Sequence, residues 1–435
     1  MPTNHSAPAE AETTCATRSP APVSLRRLFG RVPRPTMIGQ RHHGSAAPAP
    51  LRVGIDVTPL LAQRTGVDQY IVQLLRALPR VAPEAHFTVF ANREDSAELA
   101  GLPANVELRA MSVRSRTRRL LFQQLLLPPV ASSLGLDVLH STSFFQPVWR
   151  GRVQHFLSVH DMTSFSHPDV HTRLRRSRVY RAGITASVRR ANLISVPSQF
   201  VADELLRIEP SVPRARVRVV PYGIGDQFSA VGAGEIERVR AKLRLPARYI
   251  LFVGTIQPRK GVDVLVEAYR RLVEEQRVPE HLVLAGDRGW GLDELRDVLQ
   301  TAPLQHCVHL PGYVSERDLP ALYAGASVFV YPSRVEGFGF PPLEAMAVGI
   351  PVIACDTSAV TENLRGAAEL VPVGEVEPLR AALARVLADA DVRAELRDAG
   401  LRRAQSFTWE RTAEATLACY RELAAKRVYT GPAGR

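Results

Sequence analysis

The segment SVFVYPSRVEGFGFPPLEAM, Ser327–Met346, admits few backbone arrangements. Its β-branched and aromatic opening, Ser327–Ser333, reads as a buried strand. A loop with Gly337 and Gly339 follows, and Pro341-Pro342 then opens a helix carrying Leu343, Glu344, Ala345 and Met346. Proline suits a first helical turn because its missing N–H would have had no partner there. Strand, glycine loop and helix N-terminus, in that order, present free N–H groups at the positive end of a helix dipole, a ready site for a phosphate. Glycine lets the backbone come close to such a ligand.

Two carboxylates frame this loop. Glu336 is read as ending the strand and Glu344 as lying in the first helical turn, with seven residues between them. Beside an anion site, a carboxylate is suited to accepting hydrogen bonds from hydroxyls such as those of a ribose or a hexose. The alternative is a dipole-stabilising Glu344 and a solvated Glu336. A second anion-type loop lies upstream in RYILFVGTIQPRKG, Arg248–Gly261, where a strand runs into Arg259 and Lys260 at a helix entrance. Arginine can fork onto two phosphate oxygens, and lysine adds a compact charge. His160-Asp161 follows another short strand, at the strand end where open α/β sheets bind ligands.

Glu336 and Glu344 around GFGFPPLEAMA resemble the signature of the large retaining glycosyltransferase family 4, typified by bacterial mannosyl- and glucosyltransferases of GT-B fold. The likeness runs from about Leu51 to about Ala425 and is most specific in the C-terminal half. It implies two doubly wound Rossmann-like α/β domains facing across a cleft, the sugar-nucleotide donor on the second and the acceptor on the first. It implies catalytic roles for Arg259, Lys260, Glu336 and His160, with Gly254, Arg259 and Lys260 matching the family's diphosphate loop. Gly312, Tyr313 and Val314 match its base-binding segment. Phe338, Gly339 and Phe340 belong to its amide-rich loop, and Glu344 is expected to hold the ribose. Gly66 matches its first-strand loop, where Asp68 and Gln69 replace a common glycine and arginine, so Gly66 and Asp68 are assigned to the acceptor. Tyr222 stands where members commonly have asparagine. The resemblance further implies retention of configuration, no cofactor, no metal, and a GDP- or UDP-sugar donor, with mannose favoured. A sugar-nucleotide epimerase of the same fold and a noncatalytic nucleotide-binding scaffold are the rivals.

The remainder of the chain supplies boundaries. Residues 1–50, rich in Ala, Pro, Ser, Arg and His without periodicity, read as a disordered tail. Residues 51–228 read as the acceptor domain, 229–245 as a linker, 246–408 as the donor domain, and 409–427 as a helix crossing back to the first domain. No GxGxxG follows the first strand within Leu51–Leu60, which argues against a dinucleotide dehydrogenase. Asp389-Ala390-Asp391 is formally a DxD, but it falls between helical segments and is not read as a metal site. Four cysteines without CxxC spacing read as reduced thiols.

The net charge of +12 is carried by residues 1–228, where every basic residue counted is arginine, since the only lysines of the chain are Lys242, Lys260 and Lys426. That asymmetry implies an anionic partner for the first half, a lipid headgroup surface or a phosphorylated acceptor. Nucleic acid is not expected, because no recognition motif accompanies the charge. Arg114, Arg116, Arg118 and Arg119 lead into an apolar stretch around Leu120–Val130, a pattern suited to a membrane surface. With no signal-peptide core and no apolar run of about 18 residues, the expected location is the cytoplasm, at the inner face of the membrane.

Overall fold

The computed structural model describes residues 50–429, apart from 61–65, 96–98, 100, 150, 152, 169–176, 277, 288, 290–291 and 303. The tail 1–49, including the doublet His42-His43, lies outside the described residues, as do Arg173, Arg175 and Arg176. In the first half, apolar runs ending in polar turns become β1 (Arg52–Asp56), β2 (His86–Asn92), β3 (Val106–Met111), β4 (Val138–Ser141), β5 (Gln154–Ser158), β6 (Leu193–Val196) and β7 (Val217–Val219). In the second half they become β8 (Tyr249–Val253), β9 (His281–Ala285), β10 (Val308–Gly312), β11 (Val328–Tyr331), β12 (Val352–Cys355) and β13 (Glu369–Val371). Among the described residues these form two sheets, β3-β2-β1-β4-β5-β6-β7 and β10-β9-β8-β11-β12-β13. Every pairing is parallel. Parallel strands need crossovers, and helices supply them, so the chain has the doubly wound α/β architecture its sequence implies.

Strand order reverses at one point in each sheet. In the first, β1 lies between β2 and β4; in the second, β8 lies between β9 and β11. Crossovers leave such strands in opposite directions and open a crevice beyond their carboxyl ends. The segments after β1, β8 and β11 hold most of the residues singled out above; His160 follows β5, and Gly312–Val314 lie at the end of β10. The central strands need no polar face: every residue of β4, β11 and β12 is buried.

The C-terminal helix, Trp409–Tyr429, packs on β4, β5 and β6 and on the helix Gly66–Val81. Its Tyr420 hydroxyl lies 2.6 Å from Nδ1 of buried His140, whose Nε2 is 2.8 Å from Ser158 Oγ. Arg218 reaches Glu422 with two 3.0 Å hydrogen bonds. Residues 233–243, read as part of a linker, instead form a helix whose Arg238 and Lys242 grip buried Asp318 at 2.7 and 2.6 Å. The small residues that suggest a linker end at Gly234; beyond them EIERVRAKL is rich in good helix formers. The DxD has a structural use: Asp389 Oδ1 accepts from the N–H groups of Asp391 and Val392 and caps the helix Ala390–Ala404.

Candidate active site

A cavity of about 1210 Å³ lies where the loops of the two switch points face each other. Its walls include Gly66, Asp68, His160 and Asp161 from the first sheet's loops. From the second sheet's loops come Gly254, Arg259, Lys260, Tyr313, Val314, Glu336, Phe338, Gly339, Phe340 and Glu344. Of the residues proposed from sequence, only Gly312 is not in the wall; its carbonyl accepts from Gly286 N–H at 2.8 Å.

Strand β11 stops at Tyr331, so Glu336 does not end a strand but lies five residues into the loop. The loop turns back on the segment after β8. Glu336 Oε2 lies 2.7 Å from Arg259 Nη1, and Oε1 lies 2.7 Å from Lys260 Nζ. The Ser333 hydroxyl also donates to Oε1. Lys260 donates to the Tyr331 hydroxyl at 2.7 Å, and Arg259 Nη1 donates to the Val335 carbonyl at 2.8 Å. Burial by itself would raise the Glu336 carboxyl; Arg259 and Lys260 outweigh it and hold it at about 2. Burial brings the Lys260 ammonium down to about 8 against the pull of Glu336, which it shares with Arg259. The two cations are thus fixed in place while only one of their charges is neutralised. One Lys260 proton and the remaining N–H groups of Arg259 stay available to a ligand.

The glycine loop supplies amides. Its carbonyls are held by side chains: Gly337 O accepts from Ser198 Oγ at 2.9 Å and Phe338 O from Asn363 Nδ2 at 2.7 Å. Among the described residues, none of the N–H groups of Gly337, Phe338, Gly339 and Phe340 donates to a protein acceptor. Gly339 takes φ +87°, a left-handed conformation that glycine adopts readily, and caps the helix Phe340–Ala347. Gly337 passes so close to the first domain that a β-carbon there would lie 2.2 Å from the His160 carbonyl oxygen. The Phe338 and Phe340 rings are buried in an aromatic cluster with Tyr222 and Trp409, so this pair faces the ligand space with backbone more than side chain.

Glu344 is the fifth residue of that helix, beyond its first turn, because the helix starts at Phe340 ahead of the prolines. It accepts from Tyr323 OH at 3.0 Å and, across the cleft, from Gln69 Nε2 at 3.3 Å. Burial pushes its carboxyl up to about 7, only partly offset by these two donors.

His160 has both ring nitrogens engaged. Nε2 lies 2.8 Å from the Thr142 carbonyl, which can only accept, so Nε2 carries the proton. Nδ1 accepts from the Tyr222 hydroxyl at 2.6 Å. Burial takes the ring down to about 4 despite the Thr142 hydrogen bond and the charges of Asp161 and Asp68. The ring is therefore neutral near pH 7, and neither nitrogen is free to reach a sugar in this arrangement. Asp68 is buried in the first turn of the helix Gly66–Val81, beside the cavity, and Gly66 packs on the Phe340 ring. Further contacts tie the domains: Glu362 accepts from the N–H groups of Gln199 and Phe200 at 2.9 and 3.1 Å, at the start of the helix Gln199–Ile208.

Sequence reasoning missed Gln69, Tyr323, Tyr331 and Ser333 as partners of the two glutamates. Ser333 alone carried a local signal, three residues before Glu336.

Two Rossmann-like units facing across such a cleft form the GT-B architecture, and comparison with known proteins agrees. The glycosyl transferases group 1 family model matches residues 235–403, and the glycosyltransferase family 4 model matches residues 64–228. The chain is 31% identical over 287 residues to the O-antigen chain mannosyltransferase B of Escherichia coli, a match covering 66% of this chain and 74% of that protein. It is 35% identical over 231 residues to a D-inositol 3-phosphate glycosyltransferase of Kribbella flavida, covering 51% of this chain and 54% of that one. Sucrose-phosphate synthase from Thermosynechococcus elongatus superposes with a TM-score of 0.68 at 24% identity, covering 86% of this chain and 100% of that chain. The chain belongs to the family 4 glycosyltransferases, of GT-B fold.

Proposed function

We propose that this glycosyltransferase moves a hexose, with mannose favoured, from a GDP- or UDP-sugar to a glycan or lipid-linked acceptor, with retention and without a metal ion. The observation that carries the reading is the meeting of Arg259, Lys260 and the free amides of Gly337–Phe340 in one cavity. As the bond to the anomeric carbon breaks, negative charge grows on the leaving diphosphate, and donors already held in place stabilise it without reorganising. Glu336 keeps both cations oriented. With its oxygens accepting from Lys260, Ser333 and Arg259, it is poorly placed to act as a nucleophile. That favours front-face attack, with the leaving phosphate taking the acceptor's proton. His160 then serves by positioning Tyr222 and the loop at Thr142. The mannosyltransferase relative supports mannose as the first sugar to test.

Donor binding should depend on pH at both ends. Ribose hydroxyls need the Glu344 carboxylate as acceptor, and the diphosphate needs charged Lys260. Free protein holds Glu344 at about 7 and Lys260 at about 8, so affinity is expected to rise as pH climbs through 7 and fall as it passes 8. Calorimetric titration of nucleoside diphosphate across this range checks it. Glu344→Gln should flatten the acid limb alone and Lys260→Arg the basic limb alone; unchanged profiles in both variants would remove these residues from the donor site.

The reading also places the enzyme at the inner face of a membrane. Among the described residues no helix is long and apolar enough to cross one. Leu121 and Leu125 are exposed beside Arg116 and Arg118, whereas Leu127 is buried, which supports contact of this edge with an anionic surface. Thermal-shift screening against GDP- and UDP-sugars tests donor and base together, because a ligand of the native state raises its stability. Turnover of the best donor with and without acceptor glycans separates transfer from epimerisation. A protein that no nucleotide stabilises and that consumes no donor would sink the proposal.

A further inference from the structure

On the first domain the cavity wall includes two arginines. Arg116 and Arg119 lie three residues apart on the helix Arg116–Leu121 and both line the cavity. Residues at that spacing share one helix face. Neither forms an ion pair among the described residues, whereas Arg259, the other arginine of the wall, is held by Glu336. Arg119 is half-buried, and among the described residues its guanidinium makes one hydrogen bond, a long contact of 3.5 Å to the Thr58 carbonyl. Asp56, the acid whose charge acts on Arg119, already accepts from the Thr58 N–H and hydroxyl and from Gln123 at 2.6–3.0 Å. Burial and the neighbouring Arg116 charge both lower Arg119, with Asp56 opposing at a distance. Arg116 sits over the Tyr180 ring, 5.8 Å from its centroid, again with no carboxylate.

Two guanidiniums on one helix face at the cavity wall, repelling each other and without an ion pair among the described residues, are matched by a compact anion with several oxygens. We propose that this part of the wall is a phosphate subsite, so that the acceptor carries a phosphoryl group, held by Arg116 and Arg119. This rests on the transferase reading above, which places the acceptor on the first domain. Val179 of the cavity wall is 84% exposed, and Leu121 and Trp149, each next in sequence to a lining residue, are 52% and 69% exposed. The phosphate can therefore belong to a lipid headgroup or to a soluble acceptor, and the test separates them.

Calorimetry on the full chain, with the donor site filled by saturating nucleoside diphosphate, would follow binding of inorganic phosphate. The wild type should bind, and Arg116→Gln/Arg119→Gln should bind at least about tenfold more weakly, as expected for losing charge-assisted hydrogen bonds. Arg118→Gln, which removes an exposed charge of the same helix outside the cavity, should bind like wild type. Co-sedimentation with phosphatidylcholine vesicles, with and without phosphatidic acid, is the second arm. Phosphatidic-acid-dependent binding lost in the double variant assigns the phosphate to a lipid; loss of the soluble ligand alone assigns it to a soluble acceptor. Equal phosphate affinity in wild type and double variant, no phosphate binding, or equal weakening by Arg118→Gln overturns the subsite. Nucleotide titration of the wild type without phosphate tests the donor reading separately.

Discussion

Lys260→Ala should lower turnover by about 10²–10³, the loss seen when one preorganised donor to a developing anion is removed. Its ammonium has three protons, and the structure uses two, on Tyr331 and Glu336. The third is the one a leaving diphosphate would draw on more strongly as its charge grows. An interaction made mainly in the transition state is lost from kcat rather than from KM. The fold should tolerate the change, because Glu336 keeps Arg259 at 2.7 Å and the Ser333 hydroxyl, so no buried charge is left without a partner. Arg259→Ala should cost a similar factor for the same reason. Steady-state kinetics with a melting curve for each variant decide the matter: turnover near normal in both would take the leaving-group role away from this pair.

That arrangement was only partly legible in the sequence. The apolar runs of β8 and β11, the glycine loop and the adjacent cations each carry a local pattern, because they are buried strands and sharp turns with few alternative readings. Ser198 is legible for the same reason: it caps its helix, accepting from Val201 N–H at 3.2 Å. The edge strands β3 and β13 are not, since half-exposed VELRAM and the three residues of β13 lack a continuous apolar run. Local pattern is also silent on contacts made across the fold. Glu336 meets Lys260 from 76 positions away, and Glu344 meets Gln69 from 275. Glu336 lies beyond the strand because proline at 332 ends the pairing of β11 at Tyr331, a stop that an apolar run does not show. Tyr222 shows the same limit from another side: as a departure from a common asparagine it was visible, but its hydrogen bond to His160 and its ring contacts with Phe340 and Trp409 belong to three distant segments.

Gly337→Ala should cost about 10² in kcat while leaving nucleotide affinity nearly unchanged, since a shift of about 1 Å at a reacting centre is enough for such a loss. The added methyl would lie 2.2 Å from the His160 carbonyl oxygen and 3.0 Å from Asp161 Cβ. The first of these is backbone and cannot rotate away, so the domains must separate to admit it. Separation would stretch the Ser198–Gly337 hydrogen bond of 2.9 Å and the Gln69–Glu344 contact of 3.3 Å, both of which cross the cleft. The donor loops belong to the second domain alone, so Arg259, Lys260 and the amides should still receive a diphosphate. What is lost is the approach of the acceptor domain to the anomeric carbon. Nucleotide affinity by calorimetry and kcat with saturating acceptor distinguish this outcome from general destabilisation, which would lower both. A variant with wild-type kcat would mean that turnover does not require the domains to come as close as they lie here.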